Sequence, residues 1–593
     1  MPPPPPPRWL LPALVGLALV LRLANVLLLD DPFQGTLIRD AAAYDAWARR
    51  ILAGEAKPGV FYVDPLYAYF LAGIYGLVGT KTVAVLLVQA VLDALRVVLA
   101  HRITNRLFGP RAALFAALLV ALYEPYVFST GAVLKTSLSL LLFDLSLWVG
   151  LVALERRRPL TSVCFGLALG LACLTRPNLL LTLPAFWYGL RCCTPAPPPW
   201  KRWALHVGLS GLGVLLAISP ATIHNARRGE LVLISAGYGT VFYVGNNPSN
   251  PHSGLHLSPP EIQGSVEHEE EQWTQEAERR TGHSLTAKER EQFWLEEGLR
   301  FIRADPAAFV QRTLHKLLLV CNVYEVPDNR NLYWYREHVP PALRGPLPLI
   351  GFGLLAPLGL WGIWRLRRQR GPARYLVLVA ACYAGSLLPF VVSSRYRLSL
   401  VSCLIPFAAW CLADLERRLH LARSRGTPAP GGGRLPLSLL VFTALVHAPI
   451  MGVGLPEGGL GFQAAQRVAN SYVARDCYDV AVLRNRQGQH EEALELLAEA
   501  AELDPDLTQA HLEAGIAHRR LGMNQEALDD YSRATQGRDD VAGLAYFNMG
   551  FLYLQYGQRE DARRALRESV PRLVWNPDAQ ARAQEALRQL GGE

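Results

Sequence analysis

The residues with the clearest capacity for chemistry lie just after the first hydrophobic segment, in RDAAAYDAWARRILAG (39–54) and VFYVDPLYAYFLAGIYGLVG (60–79). Asp40, Tyr44 and Asp64 stand there in a polar loop between apolar segments. A carboxylate in that setting can take the proton of a hydroxyl group that attacks a lipid-linked substrate. Tyr44 follows Asp40 by one helical turn and could orient it. The loop therefore predicts acid/base chemistry, with Asp40 as the base and Asp64 as a second site carboxylate.

Both carboxylates also have a purely structural interpretation. Asp is a favoured N-cap residue, so Asp40 could cap a helix that starts near Ala41. Asp64 precedes Pro65, and proline is common in the first turn of a helix. The sequence leaves these alternatives open beside the catalytic ones.

Three cations at the ends of apolar segments are candidates for binding a phosphate. Arg395 and Arg397 lie in VVSSRYRLSLVSCLIPF, and Lys135 lies in YEPYVFSTGAVLKTSL. Ionisable groups at the mouth of an apolar helix are costly and indicate a functional role, and guanidinium groups match phosphate oxygens bidentately. The alternatives are headgroup anchoring for the arginines and snorkelling to the interface for the lysine.

Composition places these residues in a membrane protein. The chain has 593 residues, of which 51% are hydrophobic and 18% charged, and its apolar residues come in blocks. A bilayer core requires roughly 17–25 residues per helical span. About eleven spans are predicted, near 9–29, 82–101, 111–128, 136–154, 160–175, 178–191, 203–222, 346–365, 374–392, 398–415 and 435–453. The middle of each predicted span is almost wholly apolar, whereas a transporter would need charged or polar residues there. The first span reads as an uncleaved signal anchor.

Orientation follows from the positions of Lys and Arg. Five basic clusters alternate with the predicted spans so that all fall on one side, which makes the N-terminus cytoplasmic. The first loop (30–65), the segment 223–345 and the C-terminal domain then face outward. The clusters are Arg102 to Arg111, Arg156 to Arg158, Arg191 to Arg202, Arg365 to Arg374 and Arg417 to Arg434. We read the formal net charge of +9 as this orientation signal and not as nucleic-acid binding.

Residues 223–345 are predicted to form a soluble insertion of mixed structure. Alternating β-branched and aromatic residues in the stretch 225–254 indicate short strands. Helical patterns follow, one of them interrupted at Asp305 and Pro306. The transmembrane core is thereby divided into residues 1–222 and 346–453.

The C-terminal residues 473–590 contain a repeat. Gly488, Gly522 and Gly557 are spaced by 34 and 35 residues, and Ala481, Gly515 and Gly550 keep the same offsets. Small residues at a period near 34 are the signature of tetratricopeptide repeats, in which two helices pack closely. Three helix pairs and a final helix at 577–590 are predicted to stack as a short α-solenoid.

The loop motifs, together with the arginine pair, resemble those of polyprenyl-phosphate-sugar glycosyltransferases of the GT-C superfamily, in particular the protein-mannosyltransferase-like enzymes. The resemblance implies that Asp40 is the catalytic base and that the RYR arginines contact the lipid phosphate. Arg176 in CLTRPN matches a further pattern of the family. The motif YVGNNPSNP also recurs in such enzymes, so Asn246 and Asn247 could bind sugar or acceptor hydroxyls. The structural alternative is a turn, which Asn-Pro commonly forms.

The resemblance implies an all-α polytopic membrane enzyme, in a bacterial inner membrane, that transfers a sugar with inversion and without a metal or other cofactor. The expected partners are the bilayer, a polyprenyl-phosphate sugar, and a protein or glycan acceptor held by the repeats. Lys135 departs from the acidic residue that the family more often carries there. A non-catalytic membrane scaffold that binds partners through its repeats remains the alternative.

Overall fold

The computed structural model describes residues 7–28, 37–55, 57–194, 197–248, 269–338, 349–369, 371–425, 436–448, 462–574 and 576–591. The regular structure of these residues is helical, and the single isolated backbone bridge among them joins Tyr123 to Ile350. An all-α fold is therefore confirmed for this part of the chain. The predictions that involve 30–36, 249–268, 339–348 and 449–453 lie outside the described residues.

Up to Arg227, the described residues form ten α-helices, which we number in chain order. They are α1 (Leu10–Leu27), α2 (Arg39–Leu52), α3 (Leu66–Val78), α4 (Thr82–Phe108), α5 (Pro110–Leu122), α6 (Glu124–Ser129), α7 (Thr136–Arg156), α8 (Pro159–Cys173), α9 (Leu183–Cys192) and α10 (Trp200–Arg227). A 3₁₀ helix, Pro177–Thr182, precedes α9. The second hydrophobic part contains α16 (Phe352–Leu366), α17 (Ala373–Leu387), α18 (Ser394–Arg425) and α19 (Leu437–Val446), after the five helices of the insertion.

Five of these helices are long and apolar enough to cross a membrane: α1, α4, α7, α10 and most of α18. Six shorter apolar helices accompany them: α3, α5, α8, α16, α17 and α19. The chain is therefore a multi-pass membrane protein, whereas the number of about eleven spans stays a prediction.

Helices α8 and α10 pack at very short range, because small residues line their contact. A Cβ atom on Gly166 would lie 2.1 Å from the backbone oxygen of Ser210, and one on Gly213 would lie 2.4 Å from that of Val163. Lipid-embedded helices associate largely through such close backbone packing. The contact supports α8 as part of the bundle.

A network of four charges lies in the middle of the bundle and corrects the expectation that the spans are apolar there. Arg22 of α1 is 2.5 Å from Asp93 of α4, which is also 2.6 Å from Arg96. Arg96 is in turn 2.8 Å from Asp144 of α7. All four side chains are buried. Two positive charges thus meet two negative ones, which is how ionisable groups are accommodated inside a bilayer.

One end of the bundle gathers the basic clusters. Arg106, at the end of α4, pairs with Glu155 at the end of α7. Arg111, at the start of α5, is 3.0 Å from Glu416 near the end of α18. Segments predicted to share one side of the membrane therefore contact one another. Which side this is remains a prediction.

The insertion contains α11 (Tyr238–Gly245), α12 (Glu269–Thr281), α13 (Ala287–Ala304), α14 (Pro306–Cys321) and α15 (Leu332–His338). The predicted break at Asp305 is confirmed, since its side chain caps α14. The predicted strands are wrong for the described residues 225–248, because α11 forms where alternation favoured a strand. Glu291 accepts hydrogen bonds from the backbone N–H groups of Gly239 and Thr240 (2.7 and 3.1 Å), satisfying the start of that helix.

The described residues from 462 to 591 form three helical hairpins and a final helix, as the repeat predicts. The helices are α20 (Phe462–Arg486), α21 (His490–Leu503), α22 (Thr508–Arg520), α23 (Asn524–Ala534), α24 (Asp539–Gln555), α25 (Arg559–Ser569) and α26 (Pro577–Gln589). The turn glycines 488, 522 and 557 all have positive φ, between +71° and +82°. Their assignment to the tetratricopeptide class stays a prediction.

Candidate active site

Asp40 lies in the first turn of α2, but it does not cap that helix. The N-cap residue is Ile38, which makes no side-chain capping hydrogen bond. The Asp40 carboxylate instead accepts hydrogen bonds from Arg395 Nη1 at 2.8 Å and from Asn329 Nδ2 at 3.0 Å. The backbone N–H of Asp40 donates to Asn329 Oδ1 at 3.2 Å. The alternative interpretation of Asp40 as a helix cap is therefore wrong.

Arg395 joins two carboxylates that are far apart in sequence. Its Nη2 is 3.0 Å from Asp328, while its Nη1 binds Asp40. Ser393 donates a second hydrogen bond to Asp328, at 3.1 Å. The Nε of Arg395 has no hydrogen-bond partner among the described residues. The guanidinium group thus holds the first loop against the segment that connects α14 to α15.

The second carboxylate of the loop forms a pair of its own. Asp64 is bound by Lys135, which directly precedes α7, and accepts a long hydrogen bond of 3.4 Å from Ser235. Burial lowers the pKa of Lys135, and the negative charge of Asp64 partly offsets this effect. The lysine therefore points into the site and pairs there, which the snorkelling alternative does not predict.

Tyr44 is buried near both carboxylates. Its burial, followed by the negative charges of Asp64 and Asp40, raises the pKa of its hydroxyl well above the ordinary value. Its ring packs edge-on against Tyr67, with centroids 5.1 Å apart. Tyr44 therefore stays protonated at neutral pH and is available as a hydrogen-bond donor.

Arg176 is the cation of this cluster that lacks a carboxylate partner in the described part of the chain. It is buried, its guanidinium carbon lies 4.9 Å from the ring centre of Tyr396, and its Nη2 makes a weak contact of 3.4 Å with the backbone oxygen of Arg395. Its Nε has no hydrogen-bond partner among those residues. A buried, under-used guanidinium is suited to an anion that arrives with the substrate.

Three predicted site residues lie elsewhere. Arg397 is buried, pairs with Glu325 at 2.7 Å and stacks on Phe352, so it serves the packing of α18 and does not join the cluster. Asn246 and Asn247 are buried and donate through their side-chain amides to backbone oxygens, including that of Pro389 at 2.6 Å. We therefore do not retain these three as ligands of donor or acceptor.

Two members of the cluster, Asp328 and Asn329, are absent from the sequence-based predictions. They lie in VYEVPDNRN, a polar stretch that follows a proline and precedes an aromatic segment. The sequence offered one indication of their role: this polar stretch belongs to the insertion that is predicted to face outward, and loop residues beside a site are candidates for binding or catalysis.

The cluster contains three carboxylates and three cations. Asp40, Asp64 and Asp328 oppose Lys135, Arg176 and Arg395. An adjoining cavity of about 50 Å³ is lined by Phe128, Leu134, Asn329, Arg395 and Leu398, among others. A volume of that size corresponds to one or two water molecules.

Residues 57–224 match the family model described as dolichyl-phosphate-mannose-protein mannosyltransferase. The matched stretch contains Asp64, Lys135 and Arg176, whereas Asp40 and Arg395 lie outside it. No curated protein sequence matches the chain at a significant level.

Several solved structures show a distant likeness. The apo oligosaccharyltransferase of Archaeoglobus fulgidus has a TM-score of 0.42 and 14% sequence identity, over 75% of this chain and 55% of that one. ArnT from Cupriavidus metallidurans, bound to undecaprenyl phosphate, has a TM-score of 0.40 and 15% identity, over 88% of this chain and 80% of that one. The chain thus spans about half the length of the oligosaccharyltransferase.

Proposed function

We propose that the chain is an integral-membrane glycosyltransferase that moves a sugar from a polyprenyl-phosphate donor to a protein, lipid or glycan acceptor on the extracytoplasmic face. The observation that carries this proposal is the single cluster formed by Asp40, Asp64, Lys135, Arg176 and Arg395. The cluster lies at the end of the bundle opposite the basic clusters. The family match over 57–224 supports the same reaction class.

The proposed reaction is a direct displacement at the anomeric carbon. The acceptor oxygen forms a bond to that carbon while the bond from the carbon to the phosphate oxygen breaks, so that the configuration inverts. The acceptor proton passes to the Asp40 carboxylate, and the polyprenyl phosphate leaves with the bonding electron pair. The enzyme must therefore supply a base and must stabilise the charge that develops on the phosphate.

The cations of the cluster divide these tasks. Arg176, which has no carboxylate partner in the described residues, is the main phosphate ligand, and Lys135 is the second. Arg395, predicted from the sequence to bind the phosphate, instead binds the Asp40 carboxylate and fixes it in place. Tyr44, protonated and buried near Asp40 and Asp64, donates a hydrogen bond to one of the reacting groups.

The C-terminal hairpins supply the acceptor-binding surface in this proposal. Their period and turn glycines support the tetratricopeptide assignment, and such arrays bind partners along a concave face. Because α20 lies against the first loop, a polypeptide or glycan held there would be brought close to Asp40.

The test is consumption of a donor by the purified full-length protein in liposomes. A panel of radiolabelled polyprenyl-phosphate sugars, offered with a membrane extract as acceptor source, should yield a labelled product with at least one donor. A sample with heat-inactivated protein corrects for spontaneous hydrolysis. If every donor stays intact while the protein captures a partner through its C-terminal hairpins, the scaffold alternative replaces the proposal.

A further inference from the structure

Helix α20, the first helix of the C-terminal part, binds the arginine that directly precedes the candidate base. Arg39 forms an ion pair with Asp479 of α20, and its Nη2 is 3.8 Å from Asp476 on the same helix. Arg39 is the residue directly before Asp40. An element 440 positions away in sequence is thereby attached to the backbone that carries the proposed base.

The same arginine also contacts the other segment of the site. Its Nη1 donates a hydrogen bond of 2.8 Å to the backbone oxygen of Asp328. Asp328 is paired with Arg395, which binds Asp40. Arg39 therefore closes a ring of contacts in which the position of Asp40 depends on α20 and on residue 328.

The backbone at Arg39 adopts a left-handed conformation. Arg39 has φ = 52°, one of two positive values among the non-glycine residues that the structure describes. The left-handed conformation is unfavourable for an L-residue, because its Cβ atom comes too close to the following carbonyl oxygen. Such a conformation persists where its surroundings over-determine it, and here Asp479 of α20 and the backbone oxygen of Asp328 hold the Arg39 side chain.

Apolar contacts join the same segments. Trp334 and Tyr335 of α15 are buried against Ala474 and Cys477 of α20, and Ile38 packs on this cluster. Ile38 directly precedes Arg39. The contact between the C-terminal part and the first loop is therefore both packed and ion-paired.

We propose that α20 belongs to the active site and that Asp479 is a positioning residue, which acts on Asp40 through Arg39. The inference rests on the proposed function, and it gives the C-terminal hairpins a second role beside the recruitment of an acceptor. A recruiting domain affects how tightly the acceptor binds. A positioning helix affects the rate at which bound substrates react.

The test compares Asp479→Asn with Asp578→Asn in the full-length protein. Asp578 is an exposed aspartate of α26, so its variant controls for the loss of one negative charge. Using the donor consumed by the wild type and a small soluble acceptor, we expect Asp479→Asn to lower kcat about 10- to 100-fold, the scale of a small misplacement of a catalytic group. The acceptor KM should not change. Wild-type kcat in Asp479→Asn, or a change in acceptor KM alone, would overturn the inference.

Two further measurements keep the outcome clear. The exchanged pair Arg39→Glu with Asp479→Arg should recover part of the rate lost in either single variant, because it restores the ion pair with α20 but not the hydrogen bond to Asp328. Hydrogen exchange over 37–52 should be about tenfold faster in Asp479→Asn than in Asp578→Asn. The exchange measurement does not depend on enzymatic activity. If the wild type consumes no donor, the proposed function fails. If exchange in Asp479→Asn equals that in Asp578→Asn, the positioning role is refuted.

Discussion

Arg176 offers the sharpest test of how the donor is bound. Its guanidinium stacks on Tyr396 and has no ion pair among the described residues, so its removal leaves no buried carboxylate there without a partner. We expect Arg176→Ala to change the thermal stability little and to weaken donor binding strongly. A hydrogen bond to a charged group contributes about 1.5–3 kcal/mol, which corresponds to a rise in donor Kd of about 10- to 150-fold.

The assay is competition of the donor against a fluorescent polyprenyl phosphate, with the purified protein in nanodiscs. Arg176→Lys keeps the charge without the fork and should fall between the wild type and Arg176→Ala. Arg191→Ala is the matched control, because Arg191 is an exposed arginine at the opposite end of the bundle. An unchanged donor Kd in Arg176→Ala, with wild-type affinity also in Arg191→Ala, would refute the assignment of Arg176 to the phosphate.

Three further predictions concern topology, the buried charges and pH. A reporter active only in the cytoplasm, fused after Glu593, should stay silent, and a strong signal would contradict the orientation. Arg22→Ala should destabilise the protein by about 3–5 kcal/mol, because Asp93 loses a buried partner. Arg22→Met combined with Asp93→Leu should destabilise the protein less. Equal melting temperatures for Arg22→Ala and the wild type would refute this. Burial raises the pKa of Asp476 to about 7, so the native state binds this proton more tightly than the unfolded state, and stability should fall as pH rises from about 4 to 7. Asp476→Asn should remove that part of the dependence, measured as the difference in Tm between pH 5 and pH 8.

The sequence was informative wherever local pattern decides the structure. Apolar blocks predicted the helices of the bundle, and the period near 34 predicted turn glycines with positive φ. The predicted spans and basic clusters also imply that Asp40 and Arg395 lie at the same end of the bundle. Their direct pairing could not be predicted, since the two residues are 355 positions apart and are joined by tertiary packing.

The failures have equally specific causes. Arg397 follows Arg395 by two positions on α18, and at 3.6 residues per turn two such side chains point about 200° apart. Both arginines could therefore not bind one phosphate from a regular helix. The strand predicted near Gly239 and Thr240 was overridden by contacts with Glu291 and by packing of Tyr243 against Trp273 of α12 and Trp294 of α13, which are tertiary effects.

The central claim is that Asp40 is the base of a glycosyl transfer, and the rate of sugar transfer by Asp40→Asn tests it most directly. The amide keeps the size of the side chain and can still accept hydrogen bonds from Asn329 and Arg395. Asp45→Asn in the same helix is the control, because Asp45 binds Arg49 and Tyr75 and not the cluster. The account predicts a rate about 10²–10⁴-fold below wild type for Asp40→Asn, with normal donor binding, and a rate near wild type for Asp45→Asn. Transfer at the wild-type rate by Asp40→Asn would contradict it and would make Asp64 the next candidate.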